Sequence, residues 1–277
     1  DHRDLHSFPT RRSSDLIILE SLAARGPQLT VVEMGERMVP RMMDEVAGAM
    51  IRRWCEGKGV QVRTARRVVS IEPAGEALRV SLDDGEILEV DALINATGVK
   101  PNVDFLVGSG VAVDQGILVN DSMQTSVAGI YAAGDVAEAV EFATGRRVVN
   151  AIQPDAVEQA RIAALNMAGQ AAALPGTFVF NVLDTMGLIS TSFGQWQEFP
   201  GCSSAHLLDE AGYRYLRLVF DGEQLVGANS IGHTENIGVL RGLIQGRVRL
   251  GDWKARLLEN PLLLSEAYLA KGLAATH

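Results

Sequence analysis

LTVVEMGERMVPRMMDEVAGAMIRRWCEGKGVQVRT, residues 29–64, decides the fold class. LTVVE (29–33) is a short apolar run rich in β-branched residues, the pattern of a buried strand. From Arg41 to Lys58 apolar residues recur at helical spacing until Gly59 stops them, and VQVRT (60–64) follows as a second strand. Strand, helix and strand in this order imply an α/β fold with a parallel sheet.

Upstream, IILESLAARG (17–26) predicts the last turns of a helix with a Gly at its end. Downstream, RRVVSIEP, LRVSLDDG and EILEV between Arg66 and Val90 alternate as strands around an Asp84-Gly85 turn, an antiparallel meander. DALINATG (91–98) is expected to return as a buried strand, and residues 116–136 are expected to be short strands and turns closing in a buried apolar run. PDAVEQARIAALNMAG (154–169) predicts a helix with Pro and Asp in its first turn and Gly169 at its end. AAALPG (171–176) predicts a linker. Beyond it, strands, a hairpin turned at Asp221-Gly222 and a helix within 235–248 form an α+β module.

The 277 residues, 47% of them hydrophobic, suffice for a substantial core. A net charge of -9 argues against a nucleic-acid footprint and a polybasic membrane-surface patch. No apolar run is long enough to span a bilayer and no secretory h-region opens the chain, so the expected localisation is cytoplasmic. Cys55 and Cys202 are the only cysteines, which leaves no C-x-x-C pair and no zinc cluster. Cys55 lies in an amphipathic helix and Cys202 in a Gly-containing loop, so both are expected to be packed or incidental thiols. His206 and His233 are expected at the surface or in loops; no metal ligand is assigned.

Glu33 ends a strand that follows a helix. In a dinucleotide-binding βαβ unit an acidic residue there accepts hydrogen bonds from a ribose 2′-hydroxyl and repels a 2′-phosphate, favouring NADH over NADPH; a solvated strand end is the alternative. The matching G-x-G-x-x-G would fall near residues 8–14, which contain no Gly. Reverse translation of DHRDLHSFPTRRSSDL (1–16) resembles, over its whole length, a common short-read sequencing adapter. Residues 1–16 are therefore expected to be translated adapter joined to a gene fragment that lost its 5′ part. On this reading the chain lacks the phosphate loops, holds neither cofactor tightly and is itself inactive.

ALINATGVKPN (92–102) and TSVAGIYAAGDV (125–136) resemble, in order and spacing, the two late motifs of the two-dinucleotide-domain flavoproteins. That family includes NADH oxidases, rubredoxin and ferredoxin reductases and the flavin-binding part of nitrite reductase. The resemblance implies an α/β architecture: a partial Rossmann-like NAD(H) domain with its meander (17–98), the C-terminal part of an FAD domain (99–174) and a C-terminal α+β interface domain (177–277). It implies that Thr97 and Gly98 lie where the chain crosses between domains near the nicotinamide. Gly134 would let the backbone approach the flavin chain, and Asp135 would accept a ribityl hydroxyl. Free N–H groups around Ala156 and Val157 would face the flavin pyrimidine edge.

The implied cofactors are FAD and NAD(H), with NADH passing hydride to flavin and electrons going on to an unknown small-molecule or protein acceptor. No catalytic side chain is assigned, because hydride transfer between cofactors needs none. In this branch the C-terminal domain often pairs subunits, so a homodimer is possible, and Trp196 is expected in core or interface. Two other readings stand beside this one. An electron-transfer reductase for rubredoxin or ferredoxin would use a basic docking face such as RGLIQGRVRLGDWKAR (241–256). A redox-sensing module would reoxidise slowly with every acceptor.

Overall fold

Asp44 sets where the first long helix begins. Its Oδ1 accepts the Ala47 N–H at 2.9 Å, the N-cap bond that satisfies an orphan donor of the first turn. The helix therefore starts at Glu45 rather than at Arg41, and the residues before it are taken by a turn in which Met42 and Met43 donate to Val39 O. The computed structural model describes residues 14–274, so most of the expected adapter stretch lies outside the described residues. The described residues divide into two compact units, Thr97–Phe180 and a second that joins 14–96 to 181–274.

In the second unit, α1 (Ser14–Ala23) precedes β1 (Thr30–Glu33), α2 (Glu45–Gly57) and β2 (Gln61–Thr64). β1 and β2 pair in parallel, Thr30 with Gln61 through Glu33 with Thr64, with α2 as the crossover. Ala47, Met50, Ile51 and Cys55 fall on one face of α2 and are fully buried. Each large apolar side chain on that face contributes about 1.5–3 kcal/mol. Burial pushes the Cys55 thiol up to about 11, so it is a packed thiol, as its helix position implied. β3 (Val68–Ala74), β4 (Ala77–Leu82) and β5 (Ile87–Val90) form the antiparallel meander, turned at Gly75 and at Asp84-Gly85.

The buried strand expected at 91–98 does not form. No strand is found there and Ile94 is 54% exposed. Apolar composition marks a strand only where a ladder and a covering layer receive it, and the parallel sheet here has two strands.

The unit Thr97–Phe180 contains β6 (Ile117–Leu118), β7 (Ala137–Val140), β8 (Arg147–Val148) and α3 (Gln153–Met167). β6 pairs with β7 in parallel, and β7 with β8 antiparallel. Ile117, Val119, Met123, Ala137 and Ala139 pack against Ile162 and Ala163 of α3. The buried Glu138 carboxylate closes the tight approach of the preceding loop by accepting the N–H groups of Gln115 and Gly116 at 2.9 and 3.0 Å. The apolar run that closes 116–136 is less buried than expected: Ile130 is 45% exposed, because it sits in a surface turn just after Gly129.

The chain then returns to the second unit with β9 (Phe180–Thr185), β10 (Leu188–Gly194), β11 (Ser203–Asp209), β12 (Arg214–Asp221) and β13 (Gln224–Ile231). They form one sheet in the order β11-β12-β13-β10-β9, with the β12–β13 hairpin turned at Gly222. Helices α4 (Ile237–Gln245), α5 (Asp252–Glu259) and α6 (Leu264–Ala274) follow, α4 burying Leu240, Leu243 and Ile244. Leu183, Leu188, Tyr215 and Ile231 of this sheet share one core with α2, β1 and β2. Trp196 is 8% exposed and belongs to the core. His206 is exposed on β11, and His233 lies in the loop between β13 and α4, where it is 3% exposed with its Nδ1 2.9 Å from Arg214 Nη2.

Candidate functional site

Within Thr97–Phe180 the residues singled out by sequence gather around the start of α3. Gly134 is buried with φ +80°, a left-handed conformation that disfavours any residue with a Cβ. A Cβ built there would reach the Ala156 Cβ at 3.4 Å, so backbone strain rather than space demands Gly. Asp135 follows on the exposed side of the same turn. Ala156 is half-buried and Val157 is 61% exposed.

One expectation is corrected here. The Ala156 N–H is not free: it donates to Ile152 O at 3.0 Å and already belongs to the helical ladder. The positions whose N–H groups a helix leaves without an internal partner lie earlier, at Gln153 and Asp155, Pro154 having no N–H. Thr97 and Gly98 are exposed, Gly98 with φ +118°.

Four further residues complete this site, and sequence reading did not single them out. The Gly134 N–H donates to Gln159 Oε1 at 2.8 Å, and Gln159 Nε2 donates to Asp155 Oδ2 at 2.7 Å. Asn150 and Thr177 hydrogen-bond the Asp155 carboxyl, and Asn150 Nδ2 also donates to Thr177 Oγ1 at 3.1 Å. All four side chains are at least nine-tenths buried. Burial pushes the Asp155 carboxyl up to about 6 against the opposing pull of Thr177 and Asn150, with the Glu158 charge adding to the rise. The available signal was the i, i+4 spacing of Asp155 and Gln159 on one helix face.

In the other unit Glu33 is 7% exposed, so it is not a solvated strand end. Its Oε1 accepts the Gly35 N–H at 2.6 Å. A Cβ on Gly35 would lie 2.6 Å from Pro40 Cγ, so only Gly lets residues 34–40 fold back beside this carboxylate. Arg37 pins that loop: Nε donates to Met43 O at 2.9 Å, Nη2 to Pro40 O at 3.3 Å, and Nη1 pairs with Glu45 at 3.1 Å. A cavity of about 230 Å³ opens beside it, lined by Glu36, Arg37, Glu45, Gly48, Ala49 and Arg52.

The basic stretch 241–256 is partly committed within the protein, with Arg249 paired to Glu223 at 3.2 Å and Arg256 stacked 3.9 Å over Trp253. Among the described residues no group of three or more His, Cys, Asp or Glu is placed to hold a metal ion. No described helix is long and apolar enough to cross a membrane.

A family model described as pyridine nucleotide-disulphide oxidoreductase matches residues 17–163. The chain is 36% identical over 255 residues to the NADH-dependent phenylglyoxylate dehydrogenase subunit epsilon of Aromatoleum evansii, covering 91% of this chain and 60% of that one. It is 34% identical over 149 residues to an NADH oxidase of Methanocaldococcus jannaschii, covering 53% and 33%. Among solved structures, the NAD-dependent persulfide reductase from A. fulgidus superposes with a TM-score of 0.77 at 25% identity, over 84% of this chain and 47% of that one. The chain thus spans 60% or less of each of these proteins.

Proposed function

The chain belongs to the pyridine nucleotide-disulphide oxidoreductase family, and we propose that it serves an FAD-dependent oxidoreductase in which NADH reduces the flavin and the flavin passes electrons to an acceptor. On this reading 17–98 is the NAD(H) part, 99–174 the flavin part and 177–277 an interface-type module. The observation that carries it is the Gly134-Asp135 turn, held against the first turns of α3 by the Gly134 to Gln159 hydrogen bond.

That turn fits a flavin. Gly134 presents backbone without a side chain, and Asp135 on the exposed side offers a carboxylate to a ribityl hydroxyl. The N-terminal end of α3, at Gln153 and Asp155, carries the positive end of the helix dipole toward the pyrimidine edge, in place of the Ala156 and Val157 amides. Thr97 and Gly98 line the crossing near the nicotinamide. The cofactors supply the hydride chemistry; the chain binds and orients them.

Glu33 supports NADH as the donor. Its carboxylate is buried at the end of β1 beside Gly35, where it would accept a 2′-hydroxyl and repel a 2′-phosphate. The test is FAD loading of the protein as its gene encodes it. Asp135→Ala is expected to weaken FAD binding at least tenfold, since a hydrogen bond to a charged group is worth about 1.5–3 kcal/mol and about 1.4 kcal/mol is a factor of ten. Unchanged FAD binding in that variant would remove the turn from the flavin site.

A further inference from the structure

Behind the Gly134-Asp135 turn lies a continuous buried polar chain that hydride transfer does not call on. It runs from the Gly134 N–H to Gln159, from Gln159 to Asp155, and from Asp155 to Thr177 and Asn150. We propose that Asp155, acting through Gln159, is a proton-responsive positioning residue for the Gly134-Asp135 turn.

The argument starts from the amide. Gln159 has one acceptor and one donor end, and the Gly134 N–H requires the acceptor, at 2.8 Å. The donor end is thereby turned to Asp155 Oδ2, at 2.7 Å. An ionised Asp155 makes that bond charge-assisted and polarises the amide, which strengthens Oε1 as the acceptor for Gly134. Protonation on Oδ2 would set donor against donor at Gln159. The proton therefore goes to Oδ1, and of the carboxyl's other two partners the Thr177 hydroxyl is the one that can turn to accept it, Asn150 Nδ2 being a donor. In both states the turn stays bonded, but the amide that holds it is differently polarised.

The surroundings make Asp155 the group that titrates. On α3 the nearest charge is Glu158, which disfavours ionisation. The turn packed against α3 carries Asp135 on its exposed side. Glu138 on β7 and Glu141 just after it have their carboxylates engaged elsewhere, by Gln115 and Gly116 and by Ala143 and Thr144. The segments at 150 and 177 bring the neutral Asn150 and Thr177 to the carboxyl, and Arg147 on β8 donates instead to Val119 O and Glu138 O. A proton taken from solvent into this site thus settles on Asp155. If the turn receives a flavin, as proposed above, uptake of negative charge there would draw that proton in.

The experiment follows carboxyl, backbone-amide and side-chain-amide NMR resonances of the intact chain across pH, without cofactor. The expected result is one shared midpoint, about 6, for the Asp155 carboxyl, the Gln159 side-chain amide and the Gly134 amide. Asp155→Asn is expected to abolish the midpoint at Gln159 and Gly134. Glu158→Gln, a surface change, is expected to move all three midpoints downward together. Flat Gln159 and Gly134 resonances, midpoints that move separately in Glu158→Gln, or an Asp155 midpoint in the ordinary carboxylate range would overturn the proposal. The coupling is read without FAD, so failure of the flavin reading leaves this result standing, and failure here leaves FAD binding to be judged by its own titration.

Discussion

Tyr215 donates its hydroxyl to Asp44 Oδ2 across 2.6 Å, joining residues 171 positions apart. The same oxygen accepts Arg217 Nη1 at 3.2 Å, while Oδ1 caps α2 through Ala47. Asn229 bridges Met42 O and the Asp44 N–H at 3.0 and 3.3 Å. One buried carboxylate therefore fastens the start of α2 to β12 and β13, and the bond raises the Tyr215 phenol well above its usual range, after burial as the larger cause.

Tyr215→Phe should lower stability by about 1.5–3 kcal/mol, the worth of a hydrogen bond to a charged group. Asp44→Ala should cost more, about 2–4 kcal/mol, because it removes the Tyr215 acceptor and the helix cap together, while the half-buried Arg217 keeps Glu198 as a partner. Chemical denaturation checks both. Equal losses in the two variants would show that Asp44 acts on Tyr215 alone.

Asp155 gives a pH dependence of known sign. Its folded value of about 6 lies above the ordinary 3.8, so the folded state holds the proton more tightly. Its contribution to stability is fully present below about pH 4 and is lost as pH rises through about 6. Relative to Asp155→Asn, the parent should lose about 1–2 kcal/mol between roughly pH 5 and pH 8. A constant difference across that window contradicts the raised value.

Gly134 and Gly129 allow a controlled comparison, with φ of +80° and +79°. Ala at either should cost about 1–2 kcal/mol of backbone strain. A Cβ at Gly129 would meet nothing within 4 Å. The proposed flavin site then predicts that only Gly134→Ala weakens FAD binding, measured by flavin fluorescence in the protein as its gene encodes it. Equal effects at both positions would argue against it.

Glu33→Ala should narrow the NADH advantage over NADPH in flavin reduction. It should also destabilise the 34–40 loop by about 1–3 kcal/mol by leaving the Gly35 N–H without its buried acceptor. Unchanged nucleotide selectivity with reduced stability would make Glu33 a loop anchor alone.

Much of this fold was legible because the signals are local. Gly59 closes α2, Asp84-Gly85 turns the meander, and Pro154 and Gly169 bracket α3. The first residue of α2 was misplaced because the apolar period runs back through Met42 and Met43, and only the cap geometry of Asp44 decides. The 91–98 segment was misread because composition does not say whether a neighbouring strand will cover it. At the candidate site, Gly134 and Asp135 stand out in a motif, and the Asp155 and Gln159 spacing is visible afterwards. Asn150 and Thr177 are not, since tertiary folding alone brings them to that carboxylate. The burial of Glu33 was equally hidden, although Gly35 two residues on is the sign of a chain doubling back.

The most direct measurement is anaerobic reduction of the FAD-loaded protein, as its gene encodes it, by NADH and by NADPH in parallel, followed through the visible flavin absorbance. The account predicts that FAD is retained and that NADH bleaches it faster than NADPH. A protein that holds no FAD, or whose bound FAD neither nucleotide reduces, would contradict it.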